Sequence, residues 1–222
     1  MTTPASLLLV AHGSRDPRAA RVVDALVAEV ARLRPGVRVG AAYLDHGRPT
    51  VDDVLAGADG PVVIVPLLLA RGWHERMDLP ARLARAPVPV RVTPPLGPHP
   101  ALAHTLAQRL ADAGAPPDPG TAVVVAAVGS RDPRAAVDVR RIAAGLTGWS
   151  EVAVATVAAG DGPATVARLR ARGRPRVAVA AYVLAPGLLP DRLAEWGADV
   201  VTAPLGPAPS VRDVVLARYA AA

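Results

Sequence analysis

The chain has 222 residues, of which 51% are hydrophobic and 20% are charged, and this balance excludes a disordered protein. It contains no cysteine, which excludes a disulfide scaffold, a cysteine-ligated metal site and a cysteine nucleophile. The formal net charge is +6, and every basic residue is Arg. Because the Arg residues are scattered and only 3% of residues are aromatic, we expect no nucleic-acid partner.

Nothing in the sequence predicts contact with a membrane. No apolar run approaches the ~18 residues that are needed to span a bilayer. The short apolar run at 7–10 is not preceded by a charged segment, so we expect no secretory signal. We therefore expect a cytoplasmic protein.

Short β-branched, apolar runs alternate with segments of helical period along the whole chain. In the first half, strands are predicted near 6–11, 37–44, 61–69 and 88–93, and helices near 17–34, 50–57, 75–85 and 99–113. In the second half, strands are predicted near 121–127, 151–157, 175–183 and 199–202, with helices between and after them. Near-continuous apolar strands that alternate with helices indicate an α/β fold with parallel sheets covered on both faces.

The chain repeats itself. The eight residues Gly13–Ala20 recur without change at Gly129–Ala136, and the Pro-Leu-Gly-Pro segment at 95–98 recurs at 204–207. We therefore predict an internal duplication with two units, residues 1–115 and 116–222, joined by a Pro/Gly-rich linker near 114–120. Each unit is expected to be a flavodoxin-like lobe with a four-stranded parallel sheet in the order 2-1-3-4, and a cleft is expected between the lobes.

The repeated segment itself is more typical of fold than of chemistry. An Asp followed by Pro, as in Asp16-Pro17, is a helix-start signal. Neither first strand is followed by the glycine-rich motifs that hold nucleotide phosphates. The common kinds of nucleotide-binding enzyme are therefore disfavoured.

The histidines distinguish the two halves, because all five lie in the first. Features kept in both copies are expected to serve the fold, whereas features present in one copy are candidates for function. Three candidate ligands face residues that cannot bind metal in the second copy: His12 faces Val128, Asp45 faces Ala158–Ala159, and His74 faces the region of Leu189.

These three candidates each follow a different predicted strand, after strands 1, 2 and 3. In a parallel sheet the carboxyl ends of the strands lie along one edge, where ligands bind. Two imidazoles and a carboxylate at that edge suit a divalent ion such as Fe²⁺, Co²⁺, Ni²⁺ or Zn²⁺. His46 is the alternative to Asp45 as the third ligand, and His99 and His104 are expected to be surface residues.

Four segments together resemble a known family. An apolar strand that ends in His-Gly-Ser-Arg-Asp-Pro is followed by Tyr-Leu-Asp, then Gly-x-His-x-x-x-Asp-Leu-Pro, then Pro-Pro-Leu-Gly-Pro-His-Pro. This combination is similar to the sirohydrochlorin chelatases, the small class II cobaltochelatases and ferrochelatases, in their duplicated two-lobe form. The resemblance implies insertion of Fe²⁺ or Co²⁺ into sirohydrochlorin, a tetrapyrrole with eight carboxylates, without a further cofactor.

The resemblance also implies roles for the candidate residues. His12 and His74 match the family's metal-binding and proton-accepting histidines, and Asp45 stands where the family usually has Glu. The second lobe would be inert, and the chain would act as a monomer. Arg15 and Arg71 are the Arg residues nearest to the site by sequence and are candidates for holding the substrate carboxylates.

Two alternatives from other classes stay open at this point. The first is a metal- or tetrapyrrole-binding protein without turnover, such as a metal chaperone. The second is a structural or nucleic-acid-binding α/β protein, in which the histidine placement has no function. The chelatase interpretation predicts in addition an apolar wall, formed by Val128 and Leu188–Leu189, opposite the metal ligands.

Overall fold

A computed structural model describes residues 4–72 and 79–222. The first half contains four strands and four helices in alternation: β1 (Ser6–Ala11), α1 (Pro17–Leu33), β2 (Val39–Tyr43), α2 (Val51–Ala56), β3 (Val62–Pro66), α3 (Leu79–Leu83), β4 (Val90–Val92) and α4 (Pro100–Asp112). The second half repeats this order: β5 (Thr121–Ala127), α5 (Pro133–Ala144), β6 (Glu151–Thr156), α6 (Gly162–Ala171), β7 (Arg176–Ala181), α7 (Leu188–Asp191), β8 (Val200–Val201) and α8 (Pro209–Ala220). A short 3-10 helix, Arg192–Trp196, follows α7 directly.

The strands of the described residues form two four-stranded sheets, in which all pairs are parallel. Their orders are β2-β1-β3-β4 and β6-β5-β7-β8, so the predicted order and the two-lobed α/β fold are confirmed. Most observed strands are shorter than predicted, chiefly because residues near the carboxyl edge, such as 67–69, leave the sheet to form loops.

The repeated octapeptide occupies the same place in both lobes. In each copy the Asp precedes a helix that begins with Pro, and its carboxylate caps that helix. Asp16 Oδ1 accepts a hydrogen bond from the Arg18 backbone N–H at 2.8 Å, and Asp132 Oδ1 accepts one from Arg134 at 2.9 Å. Such a cap satisfies a backbone N–H that has no partner within the first helical turn. The octapeptide therefore serves to start the helix in each lobe.

One hydrophobic core joins the two lobes. It contains buried residues from β1 and β5 and from four helices that lie between the sheets, α1, α4, α5 and α8. Leu26, Leu106, Ile142 and Val215 represent these helices in the core, and each is at most 2% exposed. Smaller clusters cover the outer faces of the two sheets, with α2 and α3 on one and α6 on the other.

One residue of the predicted linker is part of this shared core. Ala115 is fully buried, and its carbonyl accepts a hydrogen bond from the Trp149 indole at 3.3 Å. The Asp118 carboxylate accepts from the Gly120 N–H and the Thr121 hydroxyl. The division into units 1–115 and 116–222 stays a prediction, because a chain segment packed in this way does not separate two cores.

A buried ion pair crosses between the lobes near the carboxyl edge. The Asp138 carboxylate on α5 is fully buried, and it accepts hydrogen bonds from the Arg71 backbone N–H (2.9 Å), Nε (2.9 Å) and Nη2 (2.6 Å). Burial raises the pKa of Asp138, but the hydrogen bonds from Arg71 outweigh it and hold the pKa below its usual value. In the duplicated arrangement, Arg71 is equivalent to Pro186 and Asp138 is equivalent to Val22. Because neither Pro186 nor Val22 is charged, the ion pair exists once.

The helices of residues 4–72 and 79–222 include none with both the length and the apolar character that a bilayer crossing requires.

We predict that the two partners of the buried pair respond differently to substitution. Arg71→Ala leaves a fully buried carboxylate without its guanidinium, and the free energy of unfolding near pH 7 should fall by about 3–5 kcal/mol. Asp138→Asn should cost less, because the Arg71 side chain is 33% exposed and can be hydrated. Urea unfolding measures both. A loss for Arg71→Ala no larger than that for Arg140→Ala, an exposed position on α5, would contradict the prediction.

The same pair predicts a pH dependence. Because the folded-state pKa of Asp138 is lowered, its contribution is complete above the unfolded value of about 3.8 and is lost as the pH falls through the folded value. The difference in unfolding free energy between the wild type and Asp138→Asn should therefore shrink in acid. A difference that grows as the pH falls from about 6 to 3 would contradict a lowered pKa of Asp138 in the folded protein.

Candidate active site

The loop between β1 and α1 carries His12 at the carboxyl edge of the first sheet. His12 directly follows Ala11, the last residue of β1, and its side chain is exposed. The Ser14 hydroxyl accepts a hydrogen bond from the Asp16 N–H at 3.1 Å, which tightens the turn into α1. The strand and the capped helix on either side thus hold His12 at a defined place on the rim.

Asp45 lies directly beside His12. The backbone N–H of Asp45 donates to the His12 carbonyl at 2.8 Å, which continues the β1–β2 ladder one step beyond the sheet. The Asp45 side chain is 54% exposed at the same edge. The structure therefore brings together two of the three predicted ligands, which are 33 residues apart in the sequence.

His46 accompanies Asp45. Its backbone N–H donates to Asp45 Oδ1 at 2.8 Å, and its Nε2 lies 3.4 Å from Asp45 Oδ2. His46 has φ +45°, in the left-handed region that few residues other than Gly and Asn adopt. This backbone turn places the imidazole beside the Asp45 carboxylate.

Gly13 makes the approach of these two loops possible. It has φ +98°, and a Cβ at this position would lie 1.6 Å from the Asp45 carbonyl oxygen. In the second lobe, Gly129 has φ +99°, but its nearest contact is the Ala158 Cβ at 3.0 Å. In the first lobe, the backbone of Gly13 therefore packs directly against the backbone of Asp45, and there is no room for a side chain at residue 13.

The Arg82 side chain fixes the other side of the Asp45 loop. From α3, its Nη2 donates to the Leu44 carbonyl at 3.1 Å, and its Nη1 lies 2.6 Å from Asp52 Oδ2. The end of β2 is thereby held to α2 and α3 by an Arg whose side chain is largely buried. The sequence analysis did not find this residue, because nothing in its local pattern indicates a long-range partner.

His74, the third predicted ligand, lies outside the described residues, as does the rest of 73–78. The preceding segment is held by the second lobe: Arg71 pairs with Asp138, and the buried Tyr182 hydroxyl donates to the Leu69 carbonyl at 2.7 Å. Among the residues that are described, no three metal-binding side chains gather. The set His12, Asp45 and His74 therefore stays a prediction, of which the structure places two members.

The equivalent edge of the second lobe carries apolar residues. The Ala158 N–H donates to the Val128 carbonyl at 2.9 Å, so Val128 and Ala158 stand where His12 and Asp45 stand in the first lobe. Val128 is 39% exposed, and Leu188 and Leu189 are 74% and 42% exposed. Large apolar side chains at these exposures are the unusual feature of this edge.

The two edges meet around the pseudo-two-fold axis. A Cβ on Gly187, the residue before Leu188, would lie 3.8 Å from the Ser14 hydroxyl, and one on Gly72 would lie 3.6 Å from the Ser130 hydroxyl. Arg18 on α1 also forms an ion pair with Asp191 on α7. The exposed apolar segment at 188–189 is thus adjacent to the loop of His12. That it forms a wall opposite His12 stays a prediction.

The two Arg residues proposed for substrate carboxylates have different surroundings. Arg15 is exposed on the His12 loop, and no described residue pairs with it. Arg71 is bound to Asp138, so its guanidinium serves the lobe interface. The sequence did contain a signal for Asp138, because an acid stands on the apolar face of α5 beside Ala135, Val139 and Ile142.

Comparison with known proteins gives matches to both lobes. The family model CbiX matches residues 6–113 and again residues 122–222. The sirohydrochlorin cobaltochelatase of Methanococcoides burtonii is 31% identical over 126 residues, which cover 49% of this chain and 96% of that protein.

Two solved structures are similar over the whole chain. The structure of CbiX, the terminal enzyme for biosynthesis of siroheme in denitrifying bacteria, is 27% identical with a TM-score of 0.73, covering 98% of this chain and 99% of the other. SirB from Bacillus subtilis with Fe³⁺ has a TM-score of 0.82 at 22% identity, covering 97% and 94%, and shows the shared fold.

We predict that Gly13 and Gly129 differ in their tolerance of a side chain. Gly129→Ala should cost about 1–3 kcal/mol, the range for a residue held in a disfavoured backbone region. Gly13→Ala should cost more, because its Cβ also overlaps a backbone oxygen, and should displace Asp45. Urea unfolding compares the two variants, and equal losses would contradict the close approach at Gly13.

Proposed function

Because the chain belongs to the CbiX family, we propose that it is a chelatase that inserts Fe²⁺ or Co²⁺ into sirohydrochlorin. This activity makes it a lyase of sirohaem or cobalamin biosynthesis, with the metal and the tetrapyrrole as its substrates. The observation that carries the proposal is the match of the family model to both lobes, over nearly the whole chain. We propose no further cofactor.

We assign the metal substrate to His12, Asp45 and His74. The assignment is supported by the backbone hydrogen bond that joins Asp45 to His12 and by the loss of both groups in the second lobe. Asp45 is preferred over His46 because it continues the ladder beside His12, whereas the His46 ring lies against the Asp45 carboxylate. Two imidazoles and a carboxylate leave coordination positions open, so the ring nitrogens of the tetrapyrrole can displace the protein ligands.

Metal insertion also requires removal of two pyrrole N–H protons. A neutral imidazole accepts a proton readily near neutral pH, since its ordinary pKa is about 6.5. We therefore propose that His12 and His74 both hold the incoming metal and accept these protons. The Asp45 carboxylate would offset part of the positive charge of a divalent cation that is bound by two neutral imidazoles.

We propose that the second lobe provides a binding face without chemistry. Its edge presents Val128, Leu188 and Leu189, which are exposed and adjacent to the first lobe's loops. A flat macrocycle between the edges would meet ligands on one face and hydrocarbon on the other. Because this lobe takes the place that a second copy would occupy, we propose that the chain acts as a monomer.

A metallation assay tests the function directly. The purified protein should accelerate the change in the absorbance spectrum of sirohydrochlorin upon addition of Fe²⁺ or Co²⁺, and the faster of the two identifies the preferred metal. His12→Ala and His74→Ala should each lower the rate by about 100-fold or more, as expected for loss of a ligand and proton acceptor. His12→Ala should remain folded, because removal of the exposed His12 side chain leaves no core cavity.

His104→Ala serves as the matched control, since His104 is exposed on α4 and is not among the assigned ligands. Its rate should stay within about twofold of the wild type, as for other exposed substitutions. A wild type that binds sirohydrochlorin and metal without accelerating their reaction would identify a metal chaperone instead. Folded His12 and His74 variants with wild-type rates would refute the assigned residues.

The proposal that only the first lobe carries the chemistry makes a prediction about Val128. Val128→His restores an imidazole at the position equivalent to His12, yet it should not raise the metallation rate and is expected to lower it. A polar group in an apolar wall weakens binding of the macrocycle, and a second imidazole competes for the metal. Steady-state metallation checks this, and a rate above the wild type would refute an inert second edge.

A further inference from the structure

A cavity opens between the edge strand of the first sheet and the helices of the second lobe. Its volume is about 570 Å³, and it is bordered by the segment after β4, including Thr93 and Pro94, and by three Arg side chains. Two of these, Arg141 on α5 and Arg218 on α8, come from the second lobe. A second cavity of about 440 Å³ shares Thr93, Pro94 and Arg218 with it, and the two together are called the groove below.

The described residues that line the larger cavity carry positive charge only. Among its described lining residues there is no Asp or Glu. Arg71 is paired with Asp138, but neither Arg141 nor Arg218 forms an ion pair with any residue in 4–72 or 79–222. The Nε atom of Arg218 is buried without a hydrogen-bond partner, as are those of Arg109 and Arg174, so the difference from Arg109 lies in the ion pair and not in this atom.

The duplication provides a direct comparison for Arg218. Arg109 has the same position on α4, nine residues after the first Pro of its helix. Its Nη2 donates to the Leu205 carbonyl at 2.9 Å, and its Nη1 lies 3.6 Å from the Asp112 carboxylate. Arg109 thus reaches the Pro-Leu-Gly-Pro segment of the other lobe and is hydrogen-bonded to it.

Arg218 reaches the corresponding Pro-Leu-Gly-Pro segment, whose residues 95, 97 and 98 line the cavity, but makes no such bonds. The residue equivalent to Asp112 is Ala221, so the acid that would balance its charge is absent. Arg141 has no counterpart either, since Ala25 stands at its position in α1. Among the described residues, neither Arg141 nor Arg218 therefore has an ion pair of the kind that Arg109 makes at the equivalent interface.

His99 adds no positive charge to this groove near neutral pH. It is half-buried rather than a plain surface residue, and it caps α4: its Nδ1 accepts a hydrogen bond from the Ala101 N–H at 3.2 Å. Burial, and secondly the charge of Arg218, lower the pKa of His99, so the ring stays neutral and able to accept. The cations that face the groove are then the guanidinium groups.

The position of the groove relates it to the candidate active site. It lies beyond the ends of β3 and β4, in the sheet whose β1 and β2 carry His12 and Asp45. Adjacent strands are about 4.8 Å apart, so the end of β4 is about 10 Å from that of β1. Arg71 also lies one residue before Gly72 and the segment that leads to His74.

We propose that Arg141 and Arg218 bind carboxylate side chains of the tetrapyrrole, so that the second lobe contributes the cations that orient the substrate. This inference rests on the proposed function. Guanidinium groups match carboxylates in a bidentate geometry, and sirohydrochlorin carries carboxylates around its whole rim. A macrocycle centred on His12 and Asp45 extends its rim along the edge of the sheet to this groove.

The test is binding of metal-free sirohydrochlorin, measured by absorbance titration of the full chain. Arg141→Gln and Arg218→Gln should each raise Kd by about 10-fold, the factor expected from one charge-assisted hydrogen bond. In the metallation assay, KM should rise in parallel while kcat stays within about threefold, because neither residue touches the reacting atoms. Arg140→Gln, an exposed neighbour on α5 with the same charge change, is the matched control.

The outcomes separate this inference from the proposed function. Wild-type protein that does not accelerate metallation refutes the function itself. If the wild type is active and the folded Arg141→Gln variant keeps the wild-type Kd, the groove is not a substrate site. An equal rise in Kd for Arg140→Gln and Arg141→Gln would indicate a general charge effect and would also overturn it. Arg141 is exposed, so this variant tests the proposal even if Arg218→Gln unfolds.

Discussion

The shared core between the two sheets is the constraint on which the site depends. Helices α1, α4, α5 and α8 pack in one apolar layer, and neither pair of helices could bury its apolar face without the other. With this layer in place, the carboxyl edges of both sheets lie side by side, as the contacts of Gly72 with Ser130 and of Gly187 with Ser14 show. The two edges are therefore neighbours because of the packing, before any functional residue is considered.

The two lobes have kept the same backbone and diverged in what they present at that edge. The first lobe has His12 and Asp45, whereas the second has Val128 and Ala158 with the same backbone hydrogen bond. Divergence has also placed polar groups in the second lobe that act on the first. Asp138 and Tyr182 hold the segment 69–72, which leads to His74. The second lobe, which has no histidine, therefore helps to hold in place the segment that leads to the candidate site.

The interlobe Arg residues show how duplication creates asymmetric sites. Arg109 and Arg218 began from equivalent positions, and each points at the same motif in the opposite lobe. With an acid at residue 112 and a carbonyl within reach, Arg109 is a structural residue. With Ala221 in place of the acid, Arg218 has no ion-pair partner among the described residues, and it lines a cavity.

The local pattern of the sequence determined the strands, the capped helices, the duplication and the edge on which His12 and Asp45 lie. These features depend on periodicity, on Asp-Pro caps and on the rule that parallel strands end together, all of which are properties of short segments or of one sheet. Only the tertiary structure decided that Arg71 pairs with Asp138 at the lobe interface and that Arg141 and Arg218 line one cavity. Their partners are tens of residues away in the chain, and whether a guanidinium meets an acid, a carbonyl or an empty cavity depends on how the two lobes pack.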